Sequence, residues 1–177
     1  ELFAKLMLWG HPYMGPLILL GAVSLWALRG RPADPAKSAL LASFTLFALG
    51  GVLGYLIQGV NVVIPAHYHG STVGVTLAFM GLAYVLLPTL GFGRAEGRMA
   101  IWQPYVYGAG QLIHVLGLAW SGGYGVQRKV AGAEQMLTTL PQKVGMGMMG
   151  LGGLIAVIGG LMFVLVCLQA MSRRGAR

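Results

Sequence analysis

The sequence predicts an all-α membrane protein in which about five transmembrane helices form part of a larger helical bundle. Of its 177 residues, 56% are hydrophobic and only 9% are charged, whereas a soluble domain usually carries about 25% charged residues. The apolar residues form stretches of about 20, which is the length that an α-helix needs to cross the hydrocarbon core of a bilayer. Lys and Arg outnumber Asp and Glu by 12 to 4 and lie mainly in the gaps between these stretches. A positive charge in that position orients a membrane protein and does not indicate nucleic acid as a partner.

Five stretches are long and apolar enough to span a membrane, and together they are expected to form one transmembrane domain over residues 1–177. The predicted helices A to E cover about residues 6–28, 38–58, 66–90, 101–120 and 144–171. Glycine, proline and charged residues fill the breaks, as in the segment GFGRAEGR after helix C. The 29 glycines are expected to let helices approach closely, above all in GMGMMGLGGLIAVIGG of helix E.

Loop charge predicts the orientation of these helices. The A–B loop, the C–D loop and the C-terminus carry most of the basic residues, so this side is predicted to be cytoplasmic, in a prokaryotic inner membrane. Arg128 and Lys129 belong to the opposite, outer side, where the rule disfavours them. Their position suggests that Arg128 and Lys129 bind an anionic group on the outer side. The chain begins at Glu1 without a signal-peptide pattern, and we expect it to be a piece of a longer protein.

Two histidines, His67 and His69, lie at the predicted outer start of helix C, in the segment IPAHYHG. Residues i and i+2 are about 200° apart around an α-helix, so a single metal ion is not easily bound by both. This spacing suits two separate partners on two sides of the helix. Imidazole is a common ligand of haem iron, and an ionisable residue at membrane depth is a functional candidate. Spacing alone leaves open that both histidines lie at the interface and bond to water or lipid.

Further motifs follow the histidines. A Met-Gly pair lies about three turns along the helix, a Leu-Pro pair lies near its end, and the next helix contains His-x-Leu-Gly-Leu, followed by a basic pair. The matching residues are Met80, Gly81, Leu87, Pro88, His114, Leu116, Gly117, Leu118, Arg128 and Lys129. With the His-aromatic-His triplet, this series resembles the C-terminal part of the catalytic subunit of the haem–copper oxidase superfamily. The resemblance covers helices B to E, about residues 40–171.

The resemblance implies a role for each matching residue of the triplet and of the basic pair. His67 would be the proximal ligand of a high-spin haem, where oxygen or nitric oxide binds, and His69 one axial ligand of a low-spin haem. Arg128 and Lys129 would bind haem propionates. Tyr68 would either pack between the two haems or be an ordinary aromatic packing residue. The implied function is that of a respiratory terminal oxidase, in which electrons pass from the low-spin to the high-spin haem for reduction of oxygen to water, with proton transport.

The chain departs from the family pattern because it has few other histidines. The copper centre and the second low-spin haem position need further histidines, and only His11 and His114 remain. We interpret His11 as an interfacial or helix-end residue and His114 as a hydrogen-bonded packing residue. Another oxidase subunit, or an N-terminal half, is therefore expected to supply the copper ligands and the second low-spin haem ligand. Val60 and Asn61 stand where some branches have an acidic metal-binding residue, which suggests a divergent branch, nearer either the nitric oxide reductases or the less studied oxygen reductases.

Several functions are compatible with these residues. The first is oxygen reduction, with cytochrome c or a quinol as donor, and nitric oxide reduction is its closest competitor. The second is a bis-histidine membrane cytochrome that only transfers electrons, for which His114 and His11 would have to serve as further ligands. The third is a structural membrane subunit. Membrane lipid is an expected partner in each case, and nucleic acid in none.

Overall fold

The computed structural model describes residues 1–5, 20–22, 24–25, 29–30, 32–130 and 132–173. The chain divides into two compact units, Glu1–Pro32 and Ala33–Arg177. In the first unit, the described residues include one helical turn at 2–5 and short helical pieces at 20–22 and 24–25. Most of predicted helix A, and His11 with it, lies outside the described residues.

The second unit is built from long α-helices. They are α1 at Pro35–Tyr55, α2 at Val63–Thr89, α3 at Arg98–Gly123 and α4 at Leu140–Ser172, with a short 3-10 helix at Gly132–Gln135 before α4. These helices correspond to predicted helices B to E. The all-α fold class is therefore confirmed for the described residues, in which the only strand-like pairing is one isolated bridge.

All four long helices begin three or four residues earlier than predicted, and three of them have a proline in the first turn. Pro35, Pro65 and Pro141 each lie in the first turn of a helix, whereas the predicted helices B, C and E begin after these residues. A proline is tolerated there because the N–H that it lacks would have no partner within the helix. At α1, the carboxylate of Asp34 also caps the helix by accepting the backbone N–H of Lys37 at 2.9 Å.

Three of these helices are long and apolar enough to cross a membrane: α1, α2 and α4. This indicates a membrane protein. Helix α3 is also long, with 26 residues, but polar side chains such as Gln103, Gln111 and His114 lower its hydropathy. The prediction of about five spans is therefore met by three helices and is not confirmed for α3 or for helix A.

Glycines allow the helices to pack closely in two antiparallel pairs, α1 with α2 and α3 with α4. A Cβ added at Gly70 of α2 would lie 2.8 Å from the Cα of Gly50 on α1. A Cβ added at Gly152 of α4 would meet the backbone of Gly110 and His114 on α3. The expectation that the glycines of helix E form a packing face is confirmed at Gly152. Close backbone approach through small residues is the usual way in which helices pack in a membrane.

The loops at the two ends of the second unit are joined by backbone hydrogen bonds. At one end, Asn61 and Gln127 form an antiparallel bridge, and the N–H of Val62 donates to the carbonyl of Val126 at 3.0 Å. We call this the histidine end, because α2 begins there. At the opposite end, the N–H of Gly93 donates to the carbonyl oxygens of Ala170 and Arg173 at 2.9 and 2.8 Å. The C–D loop and the end of α4 thus share one end, as the loop-charge argument assumed.

Candidate functional site at the histidine end

His67 on α2 packs against α1. Its Nδ1 atom lies 2.7 Å from the carbonyl oxygen of Gly50. A Cβ added at Gly54, one turn further along α1, would lie 2.9 Å from both Cε1 and Nδ1 of the same ring. The imidazole therefore lies against a part of α1 that carries no side chain at either position. Glycine is required at Gly54 because any larger residue would push the ring away.

His69 lies on another side of α2 and faces α3. Its Nδ1 atom is 2.9 Å from the carbonyl oxygen of Pro65, one turn earlier in the same helix. Its ring centroid is 5.2 Å from that of His114 on α3, and the two ring planes are inclined by 36°. His67 and His69 thus contact different neighbouring helices, as their spacing along α2 predicts.

The hydrogen bonds define which nitrogen of each ring is available to a ligand. A carbonyl oxygen can only accept, so Nδ1 is the donor in both His67 and His69. In a neutral imidazole, Nε2 then keeps its lone pair. Histidines that bind a metal commonly donate their other ring N–H to a backbone carbonyl, which orients the ring. The two residues therefore fit one haem iron each through Nε2.

His114 is held by α4 and contacts His69. Its Nδ1 atom lies 2.9 Å from the carbonyl oxygen of Met149, so Nδ1 is again the donor. The hydrogen bond expected for His114 is confirmed, and it leaves Nε2 unprotonated in a neutral ring, as in His67 and His69. The sequence did not indicate its contact with His69, which depends on how α2 and α3 pack.

Arg128 is brought to the histidine end by the loop after α3. It follows Gln127, which pairs with Asn61 just before α2. Arg128 is half-buried, and its Nε atom is buried without a hydrogen-bond partner. A buried donor without an acceptor is costly. A carboxylate such as a propionate would supply that acceptor, because guanidinium groups bind carboxylates through charge-assisted hydrogen bonds.

The other two predicted cofactor contacts are more exposed. Lys129 is exposed and has a left-handed backbone, with φ of 65°. Tyr68 is 47% exposed, and its ring centroid is 5.3 Å from that of His69. Both residues are accessible to a further group, and neither is packed inside the described helices.

A metal centre made of several clustered side chains is not seen in the described part of the chain. Within it, no group of three or more His, Cys, Asp or Glu residues is arranged to hold a metal ion. A site that also contains copper would need ligands from outside the described residues.

A buried polar cluster that was not predicted from the sequence joins α2, α3 and α4. Gln103 of α3 is fully buried. It accepts a hydrogen bond from the hydroxyl of Tyr84 at 2.7 Å and donates to the carbonyl of Gly159 at 3.1 Å. A glutamine within an apolar stretch was the available signal, since a buried amide needs partners. These bonds hold α3 against the helix that carries the two histidines.

The chain is similar to two curated proteins that are both much longer. It is 43% identical over 149 residues to "Uncharacterized protein RP382" of Rickettsia prowazekii (strain Madrid E), an alignment that covers 76% of this chain and 28% of the relative. It is 31% identical over 91 residues to an "Uncharacterized protein" of Aquifex aeolicus (strain VF5), over 51% of this chain and 23% of the relative. The chain thus spans less than a third of the length of the curated relatives it matches. No protein-family model matches the chain, and no solved structure matches it.

Proposed function

We propose that this chain is the haem-binding part of the catalytic subunit of a respiratory haem–copper terminal oxidase, which reduces oxygen to water. One observation carries the proposal. His67 and His69 each donate Nδ1–H to a backbone carbonyl, which leaves the lone pair on Nε2 of a neutral ring, and they contact different helices. In this proposal His67 binds the high-spin haem, and His69 binds the low-spin haem that passes electrons to it.

The chain's own residues would hold and orient the cofactors, and the haems, when bound, supply electron transfer and oxygen binding. The carbonyl of Gly50 keeps Nε2 of His67 available by accepting the other ring proton. Arg128 would bind a haem propionate at its buried Nε atom, since its donor fork matches a carboxylate. Lys129 and Tyr68 would line the outer edge of the same region. The histidine end would face outward from a prokaryotic cytoplasmic membrane, with the C-terminus cytoplasmic.

The copper ligands and the second low-spin haem ligand would come from elsewhere in a longer protein or from another subunit. The relatives support this arrangement, because more than two thirds of each lies outside the matched segment. Cytochrome c or a quinol would donate electrons. Nitric oxide remains the alternative substrate, since it would bind at the same high-spin haem.

A bis-histidine cytochrome is the second candidate, and the contact between His69 and His114 is the observation that favours it. The ring centroids are 5.2 Å apart and the ring planes are inclined by 36°, which lies in the ordinary range for two aromatic rings in direct contact. Because ring contact explains this pair without an iron, the enzyme is the better-supported proposal.

Absorption spectra of the full-length protein in isolated membranes test the proposal. His67→Ala should abolish binding of carbon monoxide to the reduced high-spin haem and leave the low-spin bands, because only the high-spin haem would lose its ligand. His69→Ala should remove the low-spin bands instead. Val75→Ala, at a position of the same helix that is 43% exposed, is the control and should retain both sets of bands. If both histidine variants lost the same haem and kept the other, or if the unmodified protein held no haem, the proposal would be wrong.

A further inference from the structure

His114 is fixed in position by α4. Its Nδ1–H donates to the carbonyl of Met149 at 2.9 Å. Gly152 lies directly against its backbone, where a Cβ would meet the N atom of His114. The ring of His114 is therefore restrained from the α4 side, and it is also in contact with the ring of His69, with centroids 5.2 Å apart.

On its own helix, the ring of His69 is restrained by one hydrogen bond and by the exposed ring of Tyr68, whose centroid is 5.3 Å away. Its hydrogen bond to the carbonyl of Pro65, one turn earlier, selects the nitrogen that carries the proton. One hydrogen bond does not define the ring plane fully, because the second side-chain torsion of histidine has a broad energy minimum. The ring of His114 limits how far His69 can turn, since the two rings are in contact at an inclination of 36°.

We infer that His114 is a positioning residue that sets the plane of the His69 ring as it binds the low-spin haem. This inference rests on the proposed function, in which His69 is the iron ligand. His114 does not bind the iron itself. His114 contacts both the Met149 carbonyl of α4 and the ring of His69, so the position of α4 limits where the His69 ring can lie.

Electron paramagnetic resonance of the oxidised full-length protein detects this role. The g values of low-spin ferric haem depend on the orientation of the axial imidazole planes, because these planes split the iron d orbitals. His114→Ala should leave the amount of low-spin haem unchanged but shift and broaden its signal, since the His69 ring would then be in contact with a neighbouring ring on the Tyr68 side only. His114→Phe keeps a flat ring beside His69 but loses the hydrogen bond to Met149, so its signal should lie between those of His114→Ala and the unmodified protein. Leu116→Ala, at a position that is 41% exposed on the same helix, should leave the signal unaltered.

The possible results separate this inference from the proposed function. A low-spin signal in His114→Ala that is identical to that of the unmodified protein would overturn the positioning role and leave the proposed function intact. Loss of low-spin haem from both His114→Ala and His114→Phe would also overturn it, because His114 would then be an iron ligand. An unmodified protein without any low-spin haem would overturn the proposed function, and the inference with it.

Discussion

Gly51 and Gly54 are three residues apart on α1 but have different surroundings. A Cβ added at Gly54 would lie 2.9 Å from two atoms of the His67 ring, whereas a Cβ at Gly51 would meet nothing within 4 Å. At the scale of single residues, the absence of a side chain at Gly54 therefore allows the ring of His67, a candidate iron ligand, to lie where it does.

We expect Gly54→Ala to displace the ring of His67 and weaken its hydrogen bond to the carbonyl of Gly50. Loss of an interaction that orients a metal ligand typically lowers metal affinity about 10–100-fold. The affinity of the protein for the high-spin haem should therefore fall by about the same factor. Carbon monoxide difference spectra measure the loss. Gly51→Ala is the matched control and should bind carbon monoxide normally. Equal effects of the two substitutions would show that Gly54 has no special relation to His67.

Arg128 and Lys129 form a second matched pair, because one is half-buried and the other exposed. We expect Arg128→Leu to lower the haem reduction potentials, since a nearby positive charge stabilises the more negative reduced state. A unit charge about 10 Å from the iron at an effective dielectric constant of about 20 contributes roughly 1.7 kcal/mol, which corresponds to tens of millivolts. Lys129→Leu should have a smaller effect, because water screens an exposed charge. Redox titration measures both variants, and unchanged potentials in Arg128→Leu would contradict the propionate assignment.

At the scale of secondary-structure elements, the α3–α4 pair depends on which glycines of α4 face α3. Gly152 faces the backbone of α3, whereas a Cβ added at Gly150 would have nothing from outside its own turn of helix within 4 Å. Gly152→Ala should lower the free energy of unfolding by about 1–3 kcal/mol, the usual cost of overpacking. Gly150→Ala should raise it by up to about 1 kcal/mol through helix propensity. Unfolding in mild detergent measures both changes, and a destabilising Gly150→Ala would place the contact on another face of α4.

Aromatic pairs near both ends of α3 predict that this helix crosses the membrane despite its lower hydropathy. Trp102 lies beside Tyr105, Trp120 lies beside Tyr124, and both tryptophans are more than half exposed. The two tryptophans are 18 residues apart, or about 27 Å along a helix, which is close to the thickness of the hydrocarbon core. Tryptophan and tyrosine are enriched at both interfaces of a membrane.

Fluorescence quenching in reconstituted vesicles tests this prediction for α3. Single-tryptophan variants that retain Trp102 or Trp120 should both be quenched more by lipids brominated near the headgroup than by lipids brominated at the chain end. Quenching near the headgroup should be stronger because each tryptophan is predicted to lie at a membrane interface. Strong quenching of either tryptophan by the chain-end label would contradict the prediction.

At the scale of the whole molecule, backbone hydrogen bonds join the loops at each end of the second unit. The orientation of that unit in the membrane can therefore be tested with one labelled position at each end. We expect the histidine end to face outward, because Lys37, Arg94, Arg98 and Arg173 lie at the opposite end. In a Cys167→Ser background, Gly125→Cys should react with a membrane-impermeant reagent in intact cells. Gly91→Cys should react only after permeabilisation. The reverse pattern would invert the topology.

Properties that depend on local sequence could be predicted well. The all-α class followed from apolar stretches of membrane-spanning length, and helices B to E were each found within a few residues of their predicted bounds. The placement of His67 and His69 on different sides of α2 followed from helix geometry alone. Helix starts were the exception, since Pro35, Pro65 and Pro141 belong to first turns, where proline does not end a helix.

The tertiary structure decided which residues from different helices meet. Three contacts join positions that are distant in the chain or lie on different helices. They are His69 with His114, Gly54 with His67, and Gln127 with Asn61. Such contacts depend on the register in which two helices pack, and that register is set by close backbone approach at a few glycines, not by any periodic pattern within one helix. The sequence by itself therefore determined where the helices lie in the chain and on which side of its helix each histidine is placed. Only the packing of the helices determined what each histidine contacts.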